Sequence, residues 1–391
     1  MKKLRGIIAA AVCAALCLTM AACHPKDEVA VTAKEKNGKT TVEITSAQYL
    51  YALTSATLEA QNNISTENSD KDTIKDYSKY KVTEKDDNGK ETKTEYYKWI
   101  EKRAKELMAQ YAGTMIKQKD LKLELDESTK NSIKSYGNMY WQYYYQPTFE
   151  KNGISSDTYL KMFTADYYRN QYFLSIYDEK GTNPVAEKDV SSTFYKNYCL
   201  GNAITVSVSS SSDSDSSSST SSTSSTSSDT SSMSLDDAKK LLGGYKKRIE
   251  NGEKFDTIFS EYNSKYKSSD SDSSSSQSKE KSETVFGSSE TSSESDIFDT
   301  VYKMKKNAVQ VITNSDKTEV TLVQKLDIKS DEDTYYKSYR EAVLHQLKDD
   351  EFNSDFEKYC DGLKLTYNEK ATKRLTAKKI DVKADTSSSA S

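Results

Sequence analysis

Histidine is nearly missing from this chain: of 391 residues only His24 and His345 carry an imidazole. No Ser-His-Asp, Cys-His or histidine-metal constellation can be assembled from that pair, so histidine-based hydrolysis is excluded. His345 falls inside a helical pattern and reads as a solvated helix residue. Cysteine is equally sparse. Beyond the first 23 residues only Cys199 and Cys360 remain, far apart in sequence; one bridge between them is open, but a disulfide framework or a metal site is not expected. A surplus of positive charge is also lacking, since the formal net charge is −4, which argues against nucleic acid as a partner. No Gly-x-x-x-x-Gly-Lys loop occurs, so no nucleotide is expected, and no cofactor is implied.

What is present begins at the N-terminus. Lys2, Lys3 and Arg5 form a positive region, residues 7–20 are apolar, and Ala21-Ala22 precede Cys23. A plain secretory signal needs only the small residues. A cysteine directly after them is the acceptor expected of a bacterial lipoprotein signal, which is diacylated on its thiol and cleaved in front of it. Met20 stands where leucine is commoner, and an ordinary signal with an incidental cysteine is the alternative. The apolar run is too short and wrongly flanked to span a bilayer. The expectation is a signal peptide over 1–22 and a lipidated Cys23. The mature chain is then tethered by residues 23–40 to the extracytoplasmic face of the cell membrane. Removing Lys2, Lys3 and Arg5 leaves 53 basic against 60 acidic residues. Two acyl chains hold a protein on a bilayer without a basic patch.

Tyrosine is abundant, 28 copies against 10 phenylalanines, and Tyr136, Tyr140, Trp141, Tyr143, Tyr144 and Tyr145 form one dense group. Tyrosine buries an apolar ring while its hydroxyl seeks a partner. Two readings follow: a core built from tyrosine, or an amphipathic surface for unfolded chains.

Along the chain, residues 41–45 alternate like an edge strand, and Ser46 opens a helix carrying Tyr49, Leu50, Leu53 and Leu58. Residues 61–94 are charged and weakly patterned and read as a loop or insertion. Tyr97, Ile100, Ala104, Leu107, Tyr111 and Met115 recur at helical spacing. A further helix spans about 127–145 and stops near Pro147. The Ser155-Ser156-Asp157 cluster caps the next, with Leu160, Phe163, Tyr167, Leu174 and Tyr177 on its apolar stripe. Residues 187–198 give a short helix and 202–208 a strand. The runs at 209–232, 268–282 and 288–295 are Ser-rich, with almost nothing to bury, and read as disordered surface insertions. Between them, Ser234-Leu235-Asp236-Asp237 resembles a capping box with Asp for the usual Glu, and Asn251-Gly252 ends that helix. Further helices are expected around Phe255–Tyr262 and at 296–305, strands at 309–312 and 320–328, and a last helix over 332–363.

This order resembles that of PrsA-type foldase lipoproteins, relatives of SurA. In that family a parvulin peptidyl-prolyl isomerase domain is set among chaperone helices. The residues that carry the resemblance are Glu187 to Tyr198 leading into the strand, Ala238-Lys239-Lys240-Leu241, and Asn251-Gly252-Glu253-Lys254-Phe255. Tyr262-Asn263-Ser264, Phe298 and Leu322 to Asp327 extend it. It covers roughly residues 41–367. It implies an α+β fold with a helical SurA-N/PrsA-like chaperone domain at 41–185. A parvulin-like domain follows at 186–330, with insertions at 209–232 and 268–295. A C-terminal helix at 331–367 packs back on the helical domain, and 368–391 is a polar tail.

The resemblance places Thr205 and Thr321 where parvulins carry two histidines, and reduces the glycine-rich loop before the third helix to Phe286-Gly287. Thr205, Phe255, Phe298 and Thr321 are then the candidates for a vestigial proline-peptide groove, although Phe255 and Phe298 also suit a plain core. No catalytic residue is assigned. Isomerisation needs a pocket that lowers a barrier of about 18–20 kcal/mol, not a nucleophile. The expected function is a membrane-anchored chaperone or foldase for unfolded or newly exported polypeptides, with weak or absent isomerase activity. An active isomerase is the alternative. A surface ligand-binding lipoprotein is a second, although repeated strand–helix units are not seen.

Overall fold

The computed structural model describes residues 28–69, 74–85, 89–208, 233–266, 282–288 and 295–382. The signal region with Cys23, nearly all of the Ser-rich runs and the end of the polar tail lie outside these residues. The chain divides into two units, residues 1–183 with 350–391, and residues 184–349. Helices combine with small antiparallel sheets in an α+β fold.

In the first unit, β1 (Val29–Lys34) is the central strand of a sheet, between β2 (Thr41–Thr45) and β9 (Lys364–Tyr367). The expected tether over 23–40 is therefore corrected: residues 29–34 are folded. A register shift between Val29 and Val31 buries Ala30 together with Val31 and Ala33, so the strand hides more apolar surface than alternation alone implies. Helix α1 (Ser46–Glu67) follows, opened by a capping box in which Thr45 Oγ1 accepts from Gln48 N at 3.3 Å and Thr45 N donates to Gln48 Oε1 at 2.9 Å. The segment 61–94 is not a plain loop. It completes α1 and adds the hairpin of β3 (Lys81–Lys85) and β4 (Glu91–Glu95). Its one buried strand residue is Val82, and cross-strand pairs Lys81–Glu95 at 3.3 Å and Lys85–Glu91 at 3.4 Å hold the register. A two-stranded ribbon held by charges shows no apolar period to read.

Helix α2 (Tyr96–Leu121) buries Trp99, Ile100, Ala104, Met108 and Ile116, one stripe at helical spacing. Helix α3 (Glu127–Tyr140) passes into a π-helical turn (Trp141–Tyr145) and then α4 (Gln146–Lys151). Pro147 does not end this run. It sits in the first turn of α4, where a missing N–H costs little. Helix α5 (Ser156–Tyr177) starts on Ser155, whose Oγ accepts from Thr158 N at 3.3 Å. The expected polar tail over 368–391 is corrected as well: α11 (Glu369–Thr372) and the turn Ala377–Lys379 bury Ala371, Leu375 and Ala377 in the same core as β1 and α2.

The second unit holds β5 (Tyr198–Ser207), β6 (Glu283–Gly287), β7 (Val309–Thr313) and β8 (Glu319–Lys325) in the antiparallel order β6-β5-β8-β7. Strand β6 lies within the span 268–295 expected as an insertion, because Val285 and Phe286 pair onto β5. Helices α6 (Glu187–Asn197), α7 (Leu235–Glu250), α8 (Phe255–Tyr266) and α9 (Ser295–Lys303) complete it. The capping pattern at Ser234 forms differently from a full box. Asp237 N donates to Ser234 Oγ at 3.2 Å, while the short Asp237 carboxylate accepts from the Ser234 hydroxyl at 2.6 Å instead of reaching the backbone. Gly252, at φ +100°, turns the chain out of α7 as expected. In place of a C-terminal helix over 331–367 packed back on the helical domain, α10 (Glu332–Asp361) has its residues up to 349 in the second unit and the remainder in the first, and Lys364–Tyr367 form β9.

Candidate functional site: an aromatic surface and a threonine pair

Period-two alternation divides the four-stranded sheet into two faces. Ile204, Val206, Val320 and Leu322 share a core with Ala238, Leu242, Tyr245 and Ile249 of α7 and with Phe255 and Ile258 of α8. Cys199 and Val323 share the other with Phe286, Ile312 and the α9 residues Ile297, Phe298 and Val301. Thr205 and Thr321 are directly opposed in register, and their hydroxyls hydrogen-bond at 3.1 Å. The parity of their positions sets them on the α9 side, with Ile312 opposite Thr321. Thr321 is buried and Thr205 exposed. Past the last β5–β6 pair, Asn202 with Glu283, Tyr262 donates its hydroxyl to the Thr205 carbonyl at 3.3 Å. Of the four residues suggested for one groove, three are thus brought to one face, and Phe255 belongs to the core on the opposite face.

Chemically the pair is quiet. Each hydroxyl has the other as partner, and neither group titrates in the physiological range. The remaining nucleophiles are also muted: Cys199 and Cys360 are free, buried thiols. Burial raises the Cys199 thiol and pushes that of Cys360 up to about 12, so neither supplies a thiolate at neutral pH. His345 Nδ1 bonds Asp349 Oδ1 at 2.6 Å one helical turn away. Among the described residues no cluster of His, Cys, Asp or Glu fits a metal ion.

The first unit carries the other candidate. The tyrosine group at 136–145 splits between inside and outside. Trp141 is buried, with Phe149, Ile154 and Tyr159 around it and Tyr145 packed against them. Tyr136, Tyr140, Tyr143 and Tyr144 are 54%, 39%, 77% and 68% exposed, and Met139 joins them at 38%. Helical spacing is the local cause: Tyr136, Met139, Tyr140, Tyr143 and Tyr144 fall at i, i+3, i+4, i+7 and i+8 on one face, while Ile133, Gly137, Trp141 and Tyr145 recur every fourth residue on the face turned to the core. Close helix packing supports the arrangement, since Gly137 of α3 leaves no room for a Cβ beside Leu160 and Phe163 of α5.

The exposed rings rest on an ordered aromatic foundation. Tyr140 lies 5.8 Å from Tyr144 and 6.3 Å from Phe163, and Phe163 stacks on Tyr159 at 5.8 Å. None of the four exposed hydroxyls has a protein partner among the described residues, so each is free to bond a ligand or water. Leu160 also lines a cleft of about 430 Å³ with Tyr111, Met115, Thr164 and Tyr168, between α2 and α5. This array of apolar ring faces, with hydroxyls at the rim, suits extended polypeptide of varied sequence. Sequence reasoning found the residues and left core and surface both open; the structure divides them between the two faces of the helix.

No family model matches the chain, and no curated protein matches it. Among solved structures it is similar to the foldase protein PrsA of Streptococcus pneumoniae, at 13% identity and a TM-score of 0.38, over 71% of this chain and 91% of that one. It is similar to PrsA of Lactococcus lactis, at 14% identity and a TM-score of 0.38, over 71% and 89%. PrsA of Bacillus subtilis shows 15% identity and a TM-score of 0.32, over 77% and 93%.

Proposed function

We propose that this protein is a membrane-anchored extracytoplasmic foldase. In this reading it holds unfolded or newly exported polypeptides on the aromatic surface of its helical unit. The observation that carries the reading is the outward row Tyr136, Met139, Tyr140, Tyr143 and Tyr144. Monomeric proteins rarely expose contiguous large apolar side chains unless something binds there, and tyrosine is enriched at such surfaces. No ATP-type motif is present, so retention and release depend on affinity alone. Diacylation of Cys23 would keep the protein where exported chains emerge.

The small α+β unit is, in this reading, a parvulin-type scaffold with weak or absent isomerase activity. Support comes from the Thr205–Thr321 pair, which offers two mutually satisfied hydroxyls where the parvulin resemblance calls for imidazoles.

The test is a paired assay on the chain from residue 23 with Cys23→Ser. It follows aggregation of a client whose folding is not proline-limited, alongside proline-limited refolding of a second protein. Suppressed aggregation without faster proline-limited refolding is expected. Changing Tyr136, Tyr140, Tyr143 and Tyr144 to Ser should weaken client affinity roughly tenfold or more, the scale of losing one or two interface anchors. Acceleration of the proline step would establish an active isomerase instead. Silence in both arms would overturn the foldase reading in favour of a surface ligand-binding lipoprotein.

A further inference from the structure

Near its C-terminus the chain reverses its charge balance. Residues 364–379 hold six cations, Lys364, Lys370, Lys373, Arg374, Lys378 and Lys379, against the single acid Glu369, in a protein of net charge −4. Ala371, Leu375 and Ala377 fix this stretch in the core of the first unit and leave the five cations from Lys370 onward exposed. None of those five pairs with a carboxylate among the described residues.

Arg374 and Lys379 meet Lys151 around a cavity of about 320 Å³ whose apolar wall includes Leu50, Leu375 and Ile380. Lys151 is held in place by Asp381 at 2.5 Å, and Asn152 clamps the same residue, accepting from Asp381 N at 2.9 Å and donating to Asp381 O at 3.0 Å. The cavity reaches Ser46 and Ala47 in the first turn of α1, where the helix dipole favours negative charge. An apolar slot with a cationic rim matches the junction of an anionic headgroup with its acyl chain.

The chain departs towards its N-terminus from this same corner. Ser46 donates its N–H to the Glu28 carbonyl at 2.8 Å, and Asn368 donates to the carbonyls of Ala30 at 2.8 Å and Val29 at 3.0 Å. Five peptide links join Cys23 to Glu28, a covalent reach of about 18 Å at most. Whatever surface holds Cys23 is therefore within reach of the cationic slot.

We propose that the slot of Lys151, Arg374 and Lys379, extended by Lys370, Lys373 and Lys378, seats anionic phospholipid headgroups and lays the first unit against the bilayer. The geometry of the proposal rests on the lipid-anchor reading of Cys23; vesicle binding itself does not. One lipid attachment with a polybasic contact holds more firmly than either alone, and each cation near an anionic surface contributes about fivefold in partition.

The chain from residue 23 with Cys23→Ser is floated with vesicles of phosphatidylglycerol in phosphatidylcholine, and with phosphatidylcholine alone. Salt-sensitive binding to the anionic vesicles only is expected. Lys151→Gln/Arg374→Gln/Lys379→Gln should lower it on the order of 100-fold. A control with equal charge change, Lys188→Gln/Lys239→Gln/Lys240→Gln, should leave it within about twofold. Lys370→Gln/Lys373→Gln/Lys378→Gln, outside the slot, should also weaken binding and guards against misfolding of the first triple. Equal partition of the slot and control triples, or equal binding to both vesicles, overturns the proposal. So does capture by a soluble glycerol phosphate polymer without vesicle binding. The mass of Cys23 peptides from bacterial membranes reads the anchor separately: an unmodified Cys23 with intact vesicle binding would sink the anchor and leave the slot.

Discussion

At the scale of single residues, Thr205 and Thr321 illustrate how burial decides the cost of a change that looks symmetric. The two hydroxyls share one hydrogen bond of 3.1 Å, yet Thr321 is 1% exposed and Thr205 faces solvent. Thr205→Val strands the Thr321 hydroxyl in the interior and should cost about 1–3 kcal/mol. Thr321→Val leaves the exposed Thr205 hydroxyl to water and should cost less than about 1 kcal/mol. Urea midpoints of the two variants check the order, and equal midpoints would mean that the pair is not isolated from water. The resemblance put these two threonines in the first and last strands of the unit, at the parvulin histidine positions; that they stand directly opposite each other comes from the strand register and was not legible in the sequence. That Phe255 lies on the other face was not legible, because it enters from a helix and strand parity says nothing about it. Helical spacing sets Tyr143 and Tyr144 on one face and Tyr145 on the other, but which face meets the core is decided by the packing of α3 on α5, where Gly137 meets Leu160 and Phe163.

At the scale of elements, segments with a clear apolar period were legible. Helix α2 turns Ile100 and Ala104 into the core as their spacing expects, with Tyr97, Leu107, Tyr111 and Met115 half-buried against it and Met108 buried beside them, and β5 and β8 alternate over seven paired residues. Elements whose pairing partner is remote were not. Strand β1 is a short apolar run set between the charged residues Lys26-Asp27-Glu28 and Lys34-Glu35-Lys36, and only the flanking strands β2 and β9, the latter more than 300 residues on, make it a sheet centre. Loop ends carry a sharper consequence. Val208 and Met233 form a β-bridge, so the 24-residue Ser-rich run between them starts and finishes at neighbouring backbone positions. Closing a loop costs free energy that grows with the logarithm of its length. Replacing residues 209–232 by about six Gly and Ser residues should therefore stabilise the second unit by about 1 kcal/mol with the sheet unchanged. A loss of stability on thermal unfolding would show that the run contributes contacts of its own.

At the scale of the whole molecule, two compact units make a single unfolding free energy ill-defined, and acid separates them by which carboxylates each one uses. In the first unit Glu35, just past β1, accepts from the Tyr359 hydroxyl at 2.8 Å and pairs with Lys117 at 3.2 Å. The Tyr359 hydrogen bond, then the Lys117 ammonium, hold the Glu35 carboxyl below its ordinary value of 4.5. In the second unit Arg248 bonds Glu253 at 2.7 Å and Glu261 at 2.7 Å and lowers both carboxyls. A carboxyl with a lowered folded-state pKa binds fewer protons folded than unfolded. Its contribution is complete above the ordinary value and disappears as pH falls through the lower folded one. Glu35→Gln should therefore reduce the stability of the first unit at pH 7 and flatten its decline below about pH 5, leaving the acid response of the second unit intact. Because Glu35 and Lys117 keep 31% and 21% of their side-chain surface in solvent, the effect is that of a screened pair. Denaturant unfolding at pH 7 and pH 4, read by probes confined to each unit, decides the matter. If Glu35→Gln moves both transitions together, α10, whose residues divide between the units, transmits unfolding from one to the other and the protein unfolds as one body.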